Sequence, residues 1–224
     1  MNNQLEPRDV WAIAFSKMKR VNFLILIGLI LVPFSVCAQR FTSPDAKLLA
    51  SRQQTIAIVP ATVTIAENSR VTAEARREQQ QIEALNFQKE IYNWMMKRKM
   101  QGKISKEIQD VETTNALLQR AGYPETPLTT AELCETLGVD GIVLSTFGLS
   151  KPVSEGAAVA ALLITGSRVN TNQVRTTLSA YDRENKKLIW IFERKLSGGV
   201  GSTPTSIVDQ VMRQASRKMP YFKN

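Results

Sequence analysis

The residue types that could perform chemistry are few in this chain, and their spacing favours no catalytic pair. The 224 residues contain no histidine, which excludes Ser-His and Cys-His nucleophilic pairs and histidine-ligated metal sites. No two carboxylates have a spacing that singles out a general acid–base pair among Glu67, Glu74, Glu78, Asp110 and Glu112. We therefore expect no catalytic residue, no metal site and no cofactor. A hydrolase that uses carboxylates or a lone serine is the enzymatic alternative.

The two cysteines have different surroundings, which indicate different roles. Cys134 lies between Leu133 and Leu137 on one helical face, which favours a small buried core residue over a reactive thiol. Cys37 lies at the end of an apolar run, where a lipid anchor is one interpretation. Lipid attachment requires a small residue directly before the cysteine, and Val36 stands there, so the pattern fits lipidation of Cys37 poorly.

Residues 154–166 form an apolar stretch that is rich in small side chains and bounded by glycines. The stretch is too short to cross a bilayer as a helix. One interpretation is a contact for self-association or for a membrane surface, and the other is a buried connecting helix. The candidate contact positions are Gly156, Ala157, Ala160, Leu163 and Gly166.

Residues 18–38 have the pattern of an export signal. A basic start at residues 18–20 precedes an apolar run over residues 21–32, and small residues follow at 35–38. This predicts a signal peptide over residues 18–38 with cleavage between Ala38 and Gln39, and an uncleaved membrane anchor is the alternative. Residues 1–17 carry Glu6 and Asp9 ahead of the basic start, so we interpret them as an extension of the gene model or as disordered.

Composition indicates an ordinary globular domain after that signal. The hydrophobic fraction is 43% and the charged fraction 22%, while 29 basic and 20 acidic residues give a net charge of +9. The densest basic runs, at residues 76–77 and 97–99, fall in a predicted helix and are typical of a solvated helix face. Aromatic residues fall on predicted core faces rather than between basic residues, so we expect no nucleic-acid partner.

Hydrophobic periodicity predicts an α/β fold with one mixed β-sheet of about four to five strands and helices packed on it. Residues 39–54 are a polar lead-in, and residues 55–224 form a single domain. Strands are predicted at 55–60, 104–111 and 140–147, with an antiparallel hairpin built from 174–180 and 188–192. A long helix spans 73–100, shorter helices follow at 113–121 and after a capping box at Thr129, and an amphipathic helix begins after Thr203.

Short motifs in this order resemble a bacterial envelope family. They are the opening strand at 56–60, a Leu-Gly helix end leading into an Asp-Gly strand at 133–144, Leu-Ser-Ala-Tyr-Asp at 178–182 before Leu-Ile-Trp at 188–190, and Met-Pro-Tyr at 219–221. The family includes the curli-secretion lipoprotein CsgG, the penicillin-binding-protein activator LpoB and the amino-terminal domain of TolB. The resemblance covers roughly residues 53–222. It implies an α/β fold that acts through assembly or partner contacts rather than by catalysis.

Two departures from that family bear on function. The lipidation signal is poor, and the sequence has no long amphipathic hairpin of the kind that a secretion channel inserts into a membrane. We therefore expect an exported, non-enzymatic envelope protein that binds a protein partner or a second copy of itself. It would lie in the periplasm or be tethered to a membrane facing it, with membrane association as an option. A component of a curli-type secretion assembly is the alternative.

Overall fold

The computed structural model describes residues 40–67, 71–150, 172–198 and 203–223. These residues belong to one compact unit, Ala38–Asn224. Its elements in chain order are β1 (Arg40–Thr42), α1 (Ala46–Arg52), β2 (Thr55–Ile58), β3 (Thr62–Ile65), α2 (Ala73–Met100), β4 (Glu107–Ile108), α3 (Val111–Arg120), α4 (Thr130–Leu137), β5 (Gly141–Leu149), β6 (Asn172–Asp182), β7 (Lys187–Gly198) and α5 (Pro204–Ala215).

The strands form one mixed sheet around β5, in the order β1-β7-β6-β5-β2-β4. β2 and β3 pair in parallel with successive halves of β5, and β4 adds in parallel to β2. β6 and β7 form the predicted antiparallel hairpin beside β5, and β1 pairs with β7. The predicted α/β class with a mixed sheet is confirmed. Within the described ranges, however, the sheet has seven strands rather than the four to five that were predicted.

Helices cover both faces of this sheet because successive side chains of each strand point to opposite faces. On one face, α1, α2 and α5 enclose the larger core, in which the rings of Phe87 and Phe147 stack with centroids 3.8 Å apart. On the other face, α3 and α4 cover a smaller core around Ala57, Leu118 and Ile142. The C-terminal helix contributes its predicted apolar stripe to the larger core, so its packing is confirmed.

Three short elements account for the larger strand count and for the difference in the lead-in. β1 and α1 lie within residues 39–54, where the sequence predicts only a polar lead-in. β1 has three residues and α1 has seven, so neither is long enough to show a clear period. β3 lies in residues 61–69, where no period was evident, although its Thr-Val-Thr-Ile order alternates.

Local capping signals fix where the helices begin. The Thr129 hydroxyl accepts from the Glu132 backbone N–H, and the Glu132 carboxylate accepts from the Thr129 N–H at 2.7 Å, which completes the predicted capping box. Thr203 caps α5 in the same way with Ser206, and Pro204 occupies the first turn. These caps hold α4 and α5 in place on opposite faces of the sheet.

Candidate interaction site

An apolar groove opens at the edge of the sheet where β2 leads into β3. Its volume is about 580 Å³, within the range of small-molecule and peptide sites. α2 supplies Ala84 and Leu85 to one wall, α3 supplies Leu118 to the other, and Tyr123 lies at the end of the α3 wall. The Leu85 side chain is 48% exposed although it lines the groove, so part of the groove's apolar wall faces solvent.

The floor of the groove includes a strand edge. Among the described residues, β3 pairs with β5 alone. Ala66 directs its N–H towards β5, where Leu149 O accepts at 2.9 Å, whereas the Ala61 N–H bonds to a carbonyl of α2 on the opposite side. Because backbone groups alternate sides along a strand, Val63 and Ile65 direct their N–H and C=O groups away from β5. This edge of β3 therefore presents backbone donors and acceptors beside the apolar walls.

A pair of amides braces the two walls of the groove. Gln88 of α2 and Asn115 of α3 exchange hydrogen bonds, with Gln88 Nε2 to Asn115 Oδ1 at 2.9 Å and Asn115 Nδ2 to Gln88 Oε1 at 3.0 Å. Gln88 Nε2 also donates to Ile58 O at 2.8 Å, which satisfies a carbonyl at the end of β2. Since Gln88 is fully buried, loss of these bonds would leave polar groups unpaired in the core. The amide pair therefore fixes the spacing of α2 and α3 around the sheet edge.

The polar groups that line the groove are suited to binding. Arg77, Gln80, Gln81 and Gln119 contribute a guanidinium and three amides. The amides donate and accept hydrogen bonds, and the guanidinium donates them. Burial raises the pKa of the Tyr123 hydroxyl above its usual value, so this hydroxyl stays protonated. The groove can therefore hold an apolar or extended ligand, and Arg77 can pair with an acidic group of that ligand.

The motif residues of the family resemblance form a structural network away from the groove. The Asp140 carboxylate accepts from the backbone N–H groups of Gln54 at 2.8 Å and Thr55 at 3.0 Å, and it lies 3.9 Å from the Arg183 guanidinium. Burial by itself raises the pKa of Asp140. The two backbone donors and the charges of Arg183 and Lys106 more than compensate, so the pKa lies below its usual value. The carboxylate thus ties the start of β2 to the start of β5.

A second part of the same network closes on Asp182, the acidic residue of the Tyr-Asp motif. Asp182 Oδ1 accepts from Gln53 Nε2 at 2.7 Å, and Asp182 Oδ2 accepts from the backbone and side chain of Asn185 in the hairpin turn. Gly141 lies against Gln53, and a Cβ at position 141 would lie 2.5 Å from Gln53 Oε1. Asp140, Gly141 and Asp182 therefore serve the geometry of the sheet.

The cysteine of α4 is fully buried in the smaller core, as predicted. Burial raises the pKa of the Cys134 thiol to about 11, so the nucleophilic thiolate is scarce at neutral pH. Cys37, Ala38, Gln39 and the predicted contact positions in 154–166 lie outside the described residues. In the part of the chain that the structure describes, no helix is long and apolar enough to cross a membrane, and no cluster of three potential metal ligands is present.

The sequence did not single out the two amide residues that brace the groove, of which Asn115 lines it and Gln88 lies buried behind it. Gln88 was part of a helix assigned by its apolar stripe, and Asn115 was part of a short predicted helix. The position of Gln88 in the sequence could have identified it, because Gln88 lies four residues after Ala84 and three before Ile91 on the buried side of α2. A polar residue on such a face needs a buried partner.

No family model matches the sequence, and no curated protein matches it. Solved structures similar to this chain include lipoprotein GNA1162 from Neisseria meningitidis, with 10% identity over 74% of this chain and 97% of that one and a TM-score of 0.43. A PelC dodecamer from Paraburkholderia phytofirmans shows 10% identity over 84% and 98%, with a TM-score of 0.35. The LpoB C-terminal domain from Salmonella enterica shows 12% identity over 67% and 94%, with a TM-score of 0.31. LpoB is thus among these similar structures, while the likeness to CsgG and TolB stays a prediction.

Proposed function

We propose that this chain is an exported, non-enzymatic envelope protein that binds an extended segment of a protein partner in the groove between α2 and α3. The single observation that carries the proposal is the second edge of β3, which pairs with no other strand among the described residues and lies at the floor of an apolar groove. An extended peptide satisfies exposed strand groups through backbone hydrogen bonds and places alternate side chains on the flanking walls. Neither a small metabolite nor a second helix would use the outward backbone groups of Val63, at the groove, and of Ile65, further along the same strand edge, in this way.

The charge at the groove indicates which residues the partner segment should contain. Arg77 is exposed at the groove, and its neighbour Arg76 is already paired with Glu67 at 3.5 Å. An acidic side chain on the partner would pair with Arg77, while apolar side chains at alternate positions would contact Leu85 and Leu118. The partner segment is therefore extended, apolar at every second position and acidic at one end.

The export part of the proposal rests on the N-terminal sequence. A basic start followed by an apolar run and small residues directs export, and cleavage after Ala38 would release a chain that begins at Gln39. Intact-mass measurement of the protein from its native envelope tests this directly. A mass that begins at Gln39 supports cleavage, whereas a diacylated Cys37 or an uncleaved chain would replace this part of the proposal.

Co-purification from the native envelope tests the binding function. Leu85→Glu places a charge on the groove wall, and Leu48→Glu is the matched control because Leu48 is a 54% exposed leucine of α1 outside the groove lining. We expect a defined partner to co-purify with wild type and with Leu48→Glu but not with Leu85→Glu. A strict monomer that retains no partner, or equal losses in both variants, would contradict the proposal. Ring-shaped oligomers in detergent would favour a secretion assembly instead.

A further inference from the structure

A second surface, separate from the groove, combines clustered positive charge with an exposed apolar tip. It lies where α2 ends and the C-terminal tail returns across it. We define this α2-end patch by five basic residues: Lys97, Arg98, Lys103, Arg213 and Lys223. Four of them are exposed, and Arg98 is partly exposed.

Backbone contacts bring these residues together from three parts of the chain. Lys103 N–H donates to Arg98 O at 3.0 Å, which folds the segment after α2 back onto the helix end. Lys223 N–H donates to Lys103 O at 3.0 Å, and the preceding residue Phe222 bridges to Ile104 in antiparallel fashion. The tail and the end of α2 are therefore held in one surface.

α5 attaches to this surface through an aromatic and charged contact. Trp94 Nε1 donates to Asp209 Oδ1 at 3.2 Å, and Arg213 Nε donates to Asp209 Oδ2 at 2.7 Å. The Arg98 guanidinium lies 4.7 Å from the centre of the Trp94 ring, and Phe222 packs edge-on against the same ring. This arrangement fixes Arg98 and Arg213 near each other despite their like charge.

Two carboxylates of the described residues lie close to the patch, and each is paired with a base. Asp209 is held by Trp94 and Arg213, and hydrogen bonding to Arg213 is the largest of the effects that lower its pKa. Glu107 forms an ion pair with Lys99, which is not a patch residue, at 2.5 Å. Asp209 offsets the charge of Arg213, so the net positive charge of the α2-end patch comes from its other four basic residues.

Met100 supplies the apolar tip. It is the last residue of α2, and its side chain is 85% exposed, more than any other large hydrophobic side chain among the described residues. Gly102 turns the chain two residues later with a φ of +72°, so Met100 lies at the exposed end of the helix, between Lys97 and Lys103 in the sequence. An exposed thioether between cations gains nothing from water, but it can enter the boundary between lipid headgroups and acyl chains.

We propose that the α2-end patch docks on a bilayer that carries anionic phospholipids. Cationic side chains attract the headgroups, and insertion of Met100 adds apolar burial. A nucleic acid fits less well, because a strand would need aromatic rings free for stacking, whereas Trp94 and Phe222 are packed against each other and against the larger core. This surface holds the domain against the bilayer while the groove of the proposed function takes its partner. The two surfaces share no lining residue.

The test uses the Ala38–Asn224 unit, which contains both hydrophobic cores of the described residues and lacks the apolar run at residues 21–32. Co-sedimentation is measured with vesicles of equal parts phosphatidylglycerol and phosphatidylcholine, and with phosphatidylcholine alone. We expect binding to the anionic vesicles only, weakening as salt is added. Neutralisation of two basic residues in Lys97→Gln/Lys103→Gln should weaken binding about 25-fold, since each basic side chain near an anionic leaflet contributes about fivefold.

The matched control removes two positive charges elsewhere. Arg175 and Lys195 are exposed cross-strand neighbours on β6 and β7, and Arg175→Gln/Lys195→Gln relieves a like-charge contact without touching the patch. In this control, binding to the anionic vesicles should stay within about twofold of wild type. Met100→Ser should bind these vesicles more weakly than wild type, and the salt dependence of its binding should be unchanged. If both charge variants lost vesicle binding equally, binding would depend on the net charge of the domain rather than on the α2-end patch, and this result would overturn the proposal. Binding to neutral vesicles, or tighter binding to a single-stranded oligonucleotide that Met100→Ser does not affect, would also overturn it.

Discussion

Substitution of Gly141 by alanine probes the network that joins β2, β5 and β6. The added methyl group would lie 2.5 Å from Oε1, 2.7 Å from Cδ and 2.9 Å from Nε2 of Gln53. Gln53 is 2% exposed and bonded to Asp182, so its amide cannot move aside without breaking the 2.7 Å hydrogen bond. Overpacking costs about 1–3 kcal/mol, and loss of a buried hydrogen bond costs a similar amount. The reduced entropy of the unfolded chain offsets about 0.4–1 kcal/mol. We expect Gly141→Ala to lower the free energy of unfolding by about 2–4 kcal/mol.

A double-mutant cycle with Gln53→Ala isolates this contact. Gln53→Ala alone should destabilise the domain, because Asp182 Oδ1 loses its donor and a cavity remains. In that background the methyl group of Gly141→Ala meets no amide, so the second substitution should be neutral or slightly stabilising. Urea unfolding of the four proteins gives a coupling energy of about 2 kcal/mol or more if the contact is as described. Additive effects, within about 0.5 kcal/mol, would refute the close approach of Gly141 and Gln53.

Three further predictions concern single side chains. Cys134 in the Ala38–Asn224 unit should not react with an aromatic disulfide reagent at pH 8 until the domain unfolds, because burial raises its thiol pKa to about 11, and rapid stoichiometric reaction of the native protein would contradict this. The lowered pKa of Asp140 means that its stabilising effect is complete above the ordinary aspartate pKa of about 3.9 and is lost as pH falls through the lower folded value. Urea unfolding across pH should therefore show Asp140→Asn less stable than wild type at neutral pH and converging with it in acid, and a constant difference would exclude the effect. Gln88→Ala should cost about 1–3 kcal/mol by leaving Ile58 O and Asn115 unpaired, whereas Gln81→Ala on the exposed side of α2 should stay within about 0.5 kcal/mol. Equal effects in thermal unfolding would show that the amide pair does not brace the groove.

Long periodic segments could be predicted because one face of each is buried along its whole length. The stripe at Phe87, Ile91 and Met95 places α2 on the sheet, and the hairpin of β6 and β7 follows from alternating apolar positions. The three-residue β1 and the four-residue β3 were not predicted, because each is too short to show a clear period and depends on a longer strand for its partner. The strand predicted at 104–111 is shorter than expected, since only Glu107–Ile108 pairs with β2.

The groove depends on contacts between residues far apart in sequence, which local patterns do not encode. Gln88 and Asn115 are separated by 27 positions and meet only after α2 and α3 have packed on opposite faces of the sheet. Gln53 and Asp182 are separated by 129 positions. The proposed class of function rests on the predicted export signal and on the lack of histidine, both read from the sequence, whereas the candidate groove could be located only from the fold.

The most direct test of the proposed function is photo-crosslinking in the native envelope from position 85, with position 48 as the control. Both positions hold exposed leucines on helices, and only position 85 lines the groove. With benzoylphenylalanine at each position, we predict one discrete adduct from position 85, with the crosslink in an extended segment of an envelope protein, and none from position 48. Adducts of equal yield from both positions, or no adduct from position 85 in cells where the protein is folded and exported, would contradict a partner-binding groove.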